Sequence, residues 1–378
     1  MNIVVLGAGR IGGAIVRDLS AEEAFSVTVV DLDPAAIAGL SGLGVRAALA
    51  DLSDPDMVAK AVVGADLVVG CVPGFMGYQT AEVVLGEGKP MADISLFPED
   101  AFGLDELAKE EGVPFLVDCG VAPGLTNLIL GRLEEDLDET TSFRALIGGL
   151  PVQRDWPWQY KAPFSPTDVI QGYVRPARLR RDGVELTLPA LSEVELLNFP
   201  GLGTLEAFHT DGLRTLLNTS STPNLVEKTI RYPGHAERMR VLREAGFFGE
   251  EEILVPSGTA RPRDVTASLL LSAWQFQEGE HDLTVGRITV EGVQDGKNVR
   301  HTYDLLDYYN PDTSTSSVAR TTGYTCASMA RLIATGQWTE PGVAPAEVVG
   351  RRQECFEYVI GHLEERGVKL ESRVEELG

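Results

Sequence analysis

The chain has 378 residues, enough for two domains with separate cores, and none of its apolar runs approaches the roughly 20 residues that a membrane helix needs. Its 32 Lys and Arg stand against 56 Asp and Glu, a formal charge of −24 that repels phosphate backbones and argues against a nucleic-acid partner. Cys71, Cys119, Cys326 and Cys355 show neither the paired spacing of a zinc site nor a disulfide framework, and Met1 runs into a strand without a leader segment, so the expectation is a metal-free, cytoplasmic protein.

In chain order, Asn2-Ile3-Val4-Val5-Leu6 reads as a buried strand and Gly7-Ala8-Gly9-Arg10-Ile11-Gly12 as G-x-G-x-x-G. Gly7 permits the tight turn, Gly9 lets the backbone approach a pyrophosphate, and Gly12 lets a helix pack closely on the strand. That helix begins near Arg10, carries Ile11, Ile15 and Leu19 on one face, and aims its unpaired N–H groups at the phosphates. A second strand, Val27-Thr28-Val29-Val30, ends in Asp31, where an acid can accept hydrogen bonds from the ribose. Leu32 follows, with no Arg or Lys beside it to hold a 2′-phosphate, so NAD is expected over NADP. The bland alternative is an ordinary βαβ turn with Asp31 as a helix cap.

The alternation continues to Asp118. Pro34 sits where a first helical turn begins, Val45-Arg46-Ala47 is a short strand, and Asp54 can cap a helix through Val58 and Val62. Leu67 to Pro73, Pro90 to Asp93 and Pro114 to Asp118 complete six strands, the pattern of a doubly wound parallel (Rossmann) α/β sheet whose ligands lie across the carboxyl ends of the strands. Cys71, Val72, Pro73 and Ser95 are expected at the cofactor's middle, and Asp118 and Cys119 nearest the nicotinamide. Both cysteines also fit plain packing as small hydrophobes.

From Gly120 the grammar changes. A helix to about Leu133 and a strand at Phe143 to Ile147 follow, then a hairpin turning at Arg181-Asp182-Gly183. Helices fall near His235 to Ala245 and Asp264 to Trp274, and strands at Leu283 to Glu291 and Val299 to Tyr303 flank Asp295-Gly296. This is an inserted α+β domain for substrate and oligomerisation. Helices from Val318 to Ile333 and Ala346 to Glu365 are expected to return to the nucleotide domain. The expected division is therefore 1–122, 123–316 and 317–378.

Gly148-Gly149-Leu150-Pro151, Trp158-Gln159-Tyr160-Lys161 with Phe164-Ser165-Pro166, Thr229 to His235, and Ser317 to Gly323 resemble, in order and spacing, the saccharopine dehydrogenase-like family along essentially the whole chain. Asp118 to Gly124, Thr204 to Phe208 and Asp211 to Thr215 look most like its branch containing L-lysine 6-dehydrogenase. The resemblance implies a two-domain enzyme of amino-acid metabolism that oxidises or forms a C–N bond at a lysine-derived ε-nitrogen with a nicotinamide cofactor. Saccharopine-forming relatives typically carry an acid in G-L-D-P-G, where this chain has Ala122, and an Arg in N-R-D-S, where it has Thr210. Losing both groups points to a smaller amine and to oxidative deamination of the ε-amino group.

For that chemistry Arg231 and Lys161 are the candidate clamp on the substrate carboxylate. Asp118, or alternatively Asp211, is the candidate for the ammonium end. His235 is the candidate general base, because an unperturbed imidazole titrates near pH ~6.5. The competing readings are a surface charge on a strand for Arg231 and Lys161, and a packed or capping residue for His235. Trp156, Trp158 and Phe164 suggest a lid or a homodimer contact. Rival functions are reductive condensation, as in saccharopine or carboxynorspermidine synthesis, and a non-catalytic NAD-binding module.

Overall fold

Near-continuous apolar strands need cover on both faces, and one-faced helices supply it. The structure, a computed structural model, describes residues 1–162, 166–256 and 258–378. Strands β1 (Asn2–Leu6), β2 (Ser26–Asp31), β3 (Arg46–Leu49), β4 (Leu67–Gly70), β5 (Met91–Asp93) and β6 (Pro114–Val117) alternate with helices α1 (Arg10–Ser20), α2 (Pro34–Ala38), α3 (Pro55–Ala61), α4 (Gly74–Gly86) and α5 (Asp105–Glu110). Helix α6 (Leu125–Asp136) closes the run. Local chemistry starts the helices: Asp33 accepts from the Ala35 N–H and Asp54 from the Asp56 N–H, each ahead of a proline in the first turn.

The chain continues through β7 (Glu139–Pro151), α7 (Pro166–Val174), β8 (Ala177–Arg181), β9 (Val184–Leu188), β10 (Glu195–Phe199), β11 (Gly203–His209), α8 (Leu216–Thr219) and β12 (Leu225–Arg231). Next come α9 (His235–Glu244), β13 (Ile253–Val255), β14 (Gly258–Ala260), α10 (Pro262–Trp274), β15 (Asp282–Gln294) and β16 (Lys297–Tyr308). Last are α11 (Ser317–Ala334), β17 (Gly342–Pro345), α12 (Ala346–Gly350), α13 (Gln353–Glu365) and β18 (Leu370–Glu376). The Asp182-Gly183 and Asp295-Gly296 turns both have positive φ at both residues, the backbone that two-residue hairpins require.

Two compact units result. The first holds 1–136, 218–220 and 318–369, and the second 137–217, 221–317 and 370–378. The first unit's sheet is parallel throughout, in the order β17-β6-β5-β4-β1-β2-β3. Its seventh strand, β17, pairs Gly342 to Pro345 with Pro114 to Val117 and is an addition to the six strands expected. Helix α6, assigned from sequence to the second segment, belongs to this unit, and β18, assigned to the third, leaves it to pair with β16.

The second unit's mixed sheet runs β10-β11-β12-β7-β15-β16-β18, with β8 and β9 attached at β12. Successive residues of its central strands feed two cores: Phe208 joins Tyr160, Tyr173, Met239 and Trp274, whereas Ala207 and Ile230 join Leu146, Leu150 and Val285. Among the described residues no helix is long and apolar enough to cross a membrane.

Candidate functional site

In the first unit the three glycines of the β1–α1 turn answer to different constraints. Gly7 has φ +109°, and a Cβ there would collide with the Cys71 carbonyl; a Cβ at Gly12 would collide with the Gly7 carbonyl. The fold itself therefore demands glycine at both. At Gly9, which has φ −60° and caps α1, a Cβ would meet no protein atom within 4 Å. Nothing in the chain demands glycine there, and the space a Cβ would take is what a pyrophosphate needs at a helix N-terminus. Arg10 and Ile11 form the first turn of α1, which carries no acid. The residues present fit a dinucleotide.

Asp31 ends β2, but its two oxygens serve the main chain: Oδ2 accepts from the Ala8 N–H at 2.5 Å and Oδ1 from the Asp33 N–H at 2.8 Å. At the neighbouring strand ends, Val72 is buried and Pro73 caps α4. The buried Ser95 donates its N–H to Asp93 Oδ1 at 2.6 Å and its hydroxyl to Asp93 Oδ2 at 3.1 Å. Cys119 is fully buried and donates to the Leu116 carbonyl. Burial, then the Asp93 charge, pushes both the Cys71 and Cys119 thiols well up, so both stay neutral and act by packing. Asp118 is buried beside Cys119 with φ +56°, a left-handed backbone at the end of β6.

In the second unit, β12 places Arg231 against two tyrosines. The buried guanidinium lies 4.5 Å from the Tyr160 ring centroid. It donates to Ile230 O at 2.8 Å and, at a long 3.4 Å, to the hydroxyls of Tyr173 and Tyr160. Burial opposes its charge, yet the tyrosine oxygens hold it firmly protonated. No carboxylate lies within ion-pair distance of it among the described residues, and a guanidinium has five N–H donors, so capacity to bind remains.

His235 opens α9 on the same cluster, fully buried, with Nε2 2.8 Å from the Tyr173 hydroxyl and the Trp158 main chain facing its other side. Burial, followed by the Arg231 charge, depresses its pKa well below the usual imidazole value. It is neutral at physiological pH, and the expectation of a base poised near its unperturbed pKa gives way to a neutral partner of Tyr173. Glu206 on β11 fixes this corner: its carboxylate accepts from the Gly234 and Ala236 N–H groups at 2.7 and 2.6 Å, capping α9.

The remaining candidates sit elsewhere. Lys161 Nζ is 3.1 Å from both Glu280 and the Gln275 carbonyl. Asp211 is gripped bidentately by Arg178, two bonds of 3.0 Å. Trp156 is 79% exposed, with Arg238 over its ring, whereas Trp158 packs edge-on against Trp274; Phe164 lies outside the described residues. Tyr160 and Glu206 lie in stretches that carry the family resemblance, but neither they nor Tyr173 and Glu227 stood out as site residues in the sequence. Glu227 is buried on the face of β12 that carries Arg231, and burial raises its carboxyl to about 8 despite a 2.9 Å hydrogen bond from Thr210.

Comparison with known proteins covers nearly the whole chain in two parts that meet just after β6. Residues 3–116 match the family model described as the saccharopine dehydrogenase NADP binding domain, and residues 120–368 the model described as the saccharopine dehydrogenase C-terminal domain. A saccharopine dehydrogenase [NADP(+), L-glutamate-forming] of Pyricularia oryzae is 22% identical over 367 residues, covering 78% of this chain and 81% of the relative. An alpha-aminoadipic semialdehyde synthase of Arabidopsis thaliana is 25% identical over 248 residues, 60% of this chain but only 23% of that longer protein. The structure of the L-Glu-forming saccharopine dehydrogenase of Saccharomyces cerevisiae superimposes with a TM-score of 0.80 at 18% identity, covering 99% of both chains, and so shares the fold.

These matches overturn the preference for NAD: the nucleotide-domain model and the Pyricularia relative are both of the NADP type. The physical reason lies in Asp31. Its carboxylate organises the turn through Ala8 and Asp33, so an acid at the end of β2 is a poor marker of a free ribose 2′-hydroxyl here. The cation for a 2′-phosphate need not follow that acid in sequence. Arg10 stands two residues beyond Ala8.

Proposed function

This chain belongs to the saccharopine dehydrogenase family, and on that premise we propose that it is an NADP-dependent oxidoreductase that oxidises the C–N bond of a lysine-type amino acid, releasing the ε-amino group and leaving the aldehyde. The observation that carries the reading is Arg231, a buried cation clamped on Tyr160 with no carboxylate at ion-pair distance among the described residues. One such anchor suits a substrate with one α-carboxylate, since the second candidate cation, Lys161, is engaged by Glu280.

The β1–α1 turn and the N-terminus of α1 hold the pyrophosphate, with Arg10 supplying charge. When bound, the nicotinamide supplies the hydride acceptor. Arg231 grips the carboxylate as a fork, and the neutral His235 orients Tyr173, which in turn holds the guanidinium. The substrate ammonium loses its proton to solvent, and water converts the resulting imine to the aldehyde and ammonia. The aldehyde can then close on its own α-amine.

A second reading, oxidation of the secondary amine saccharopine, is favoured by the 81% of the Pyricularia enzyme that aligns with this chain. Reduction of NADP+ with lysine, saccharopine, ornithine and carboxynorspermidine in turn separates the two. Turnover with lysine and stoichiometric ammonia supports the first reading, and turnover with saccharopine alone replaces it with the second. Arg231→Lys tests the anchor: loss of the bidentate grip should raise KM about 10- to 100-fold with little change in kcat, from the ~1.5–3 kcal/mol of a charged hydrogen-bond pair. An unchanged KM would remove Arg231 from the site. A cytoplasmic homodimer using the Trp156 surface belongs to the same proposal, and a single monomeric peak across a gel-filtration concentration series would remove the dimer.

A further inference from the structure

Helix α11 is the most deeply buried helix of the first unit, and one of its residues departs from the pattern. From Ser317 to Leu332 every residue is buried except Thr322. Its hydroxylated neighbours turn inward: Thr321 donates to the Val318 carbonyl at 3.3 Å, Thr325 to Thr321 at 2.7 Å and Ser328 to Thr325 at 2.6 Å. Thr322 makes no such bond among the described residues. A partly exposed threonine in the middle of a buried helix, spared from back-bonding, has a hydroxyl that can serve something outside the chain.

The surroundings of Thr322 say what that is. Its methyl carbon lies 3.4 Å from where a Cβ on Gly120 would stand, in the loop after β6. The next residue, Gly323, abuts α1 at the glycine-rich turn, where a Cβ would come within 3.3 Å of the Ile11 carbonyl. One helical turn further, on the same face, Cys326 is in electrostatic reach of Cys119 and Cys71, just past the ends of β6 and β4, and of Asp93, which ends β5. Thr322 thus stands above the carboxyl ends of β4 to β6, on the side of the sheet to which a dinucleotide extends once its pyrophosphate rests on α1.

We propose that Thr322 is a cofactor-binding residue of this enzyme, its hydroxyl bonding the carboxamide of the nicotinamide ring and its methyl packing on Gly120 to hold the ring's edge. A hydroxyl both donates and accepts, and a carboxamide offers both partners. The inference rests on the NADP reading above and adds to it the end of the cofactor that α11 serves.

The test is equilibrium binding to the full chain of two probes: NADPH, and adenosine 2′,5′-bisphosphate, which lacks the nicotinamide half. Thr322→Val keeps the methyl and replaces the hydroxyl with a second methyl of similar size. It should weaken NADPH about 5- to 10-fold, the worth of one hydrogen bond, and leave the bisphosphate within twofold of wild type. Thr322→Ser, which keeps the hydroxyl but not the methyl, should bind NADPH more tightly than the valine variant. Equal weakening of both probes would make Thr322 a packing residue, and unchanged NADPH affinity in the valine variant would show that the hydroxyl touches nothing on the cofactor; either result overturns the proposal. Wild-type protein that binds neither probe would instead sink the NADP reading itself.

Discussion

Asp18 ties the nucleotide-binding helix to the end of the chain, and its removal is the most informative perturbation of the first unit. Its buried carboxylate on α1 meets Arg331 of α11 at 2.5 Å, Arg366 beyond α13, and His362 Nε2 at 3.4 Å. Burial works to raise its pKa, but the His362 imidazole and the Arg331 and Arg366 charges outweigh it and hold the carboxyl at about 2, against 3.8 for an unperturbed aspartate. That difference is worth about 2.5 kcal/mol at ~1.36 kcal/mol per pKa unit. Because the folded pKa is the lower one, this stability is present above pH ~4 and is lost as the pH falls through about 2. Asp18→Asn also leaves the buried Arg331 and the partly buried Arg366 facing an amide, which raises the expected cost to about 3–5 kcal/mol at neutral pH. Hydrogen exchange of the α1 and α11 amides reads this directly: protection at pH 7 should fall ~100- to 4,000-fold, at ~1.4 kcal/mol per decade. The variant should also lack the wild type's loss of protection between pH 4 and 2. Protection within threefold of wild type would refute the argument. A positive result would bear on the proposed function, since α1 follows the turn proposed to hold the pyrophosphate and α11 carries Thr322.

Two other outcomes follow from buried groups and close approaches. Glu227, raised to about 8, binds its proton in the fold at pH values where the unfolded chain has released it. Stability should therefore fall as pH rises from about 4.5 to 8, by at most about 4–5 kcal/mol, and Glu227→Gln should flatten that slope in urea-unfolding midpoints. A wild-type profile level from pH 5 to 8 would contradict it. Gly9→Ala should leave thermal stability within ~1 kcal/mol, because its Cβ meets no protein atom, yet weaken NADPH more than tenfold; Gly12→Ala should destabilise the unit outright. A Gly9→Ala variant that binds NADPH normally would place the pyrophosphate elsewhere.

Much of the architecture was legible because its causes are local. The β1–turn–α1–β2 order, the Asp33 and Asp54 caps, and the Asp182-Gly183 and Asp295-Gly296 hairpins each follow from residues a few positions apart. The six parallel strands follow from apolar runs that only a doubly covered sheet can bury. Strand β17 was not legible: four residues ending in a proline acquire strand geometry only beside β6, more than 220 positions earlier. Strand β18 is an exposed, charged segment whose pairing depends on β16.

The site divides in the same way. Glycine at 7, 9 and 12 could be read from spacing, but which of the three the fold itself demands required the carbonyls of Cys71 and Gly7 to be in place. Arg231 and His235 could be named as candidates, yet their chemistry comes from distant partners: Tyr160 and Tyr173 set the guanidinium, and burial makes the imidazole neutral. The cofactor preference failed for a related reason, because Asp31 is committed to Ala8 and Asp33, a use its place at a strand end does not reveal. The sequence by itself determined the backbone grammar, since propensity, capping and turn chemistry act over a few residues. Only the tertiary structure decided which side chains hold a charge, spend it on a neighbour or keep it available, since burial and pairing are set by residues far apart in the chain.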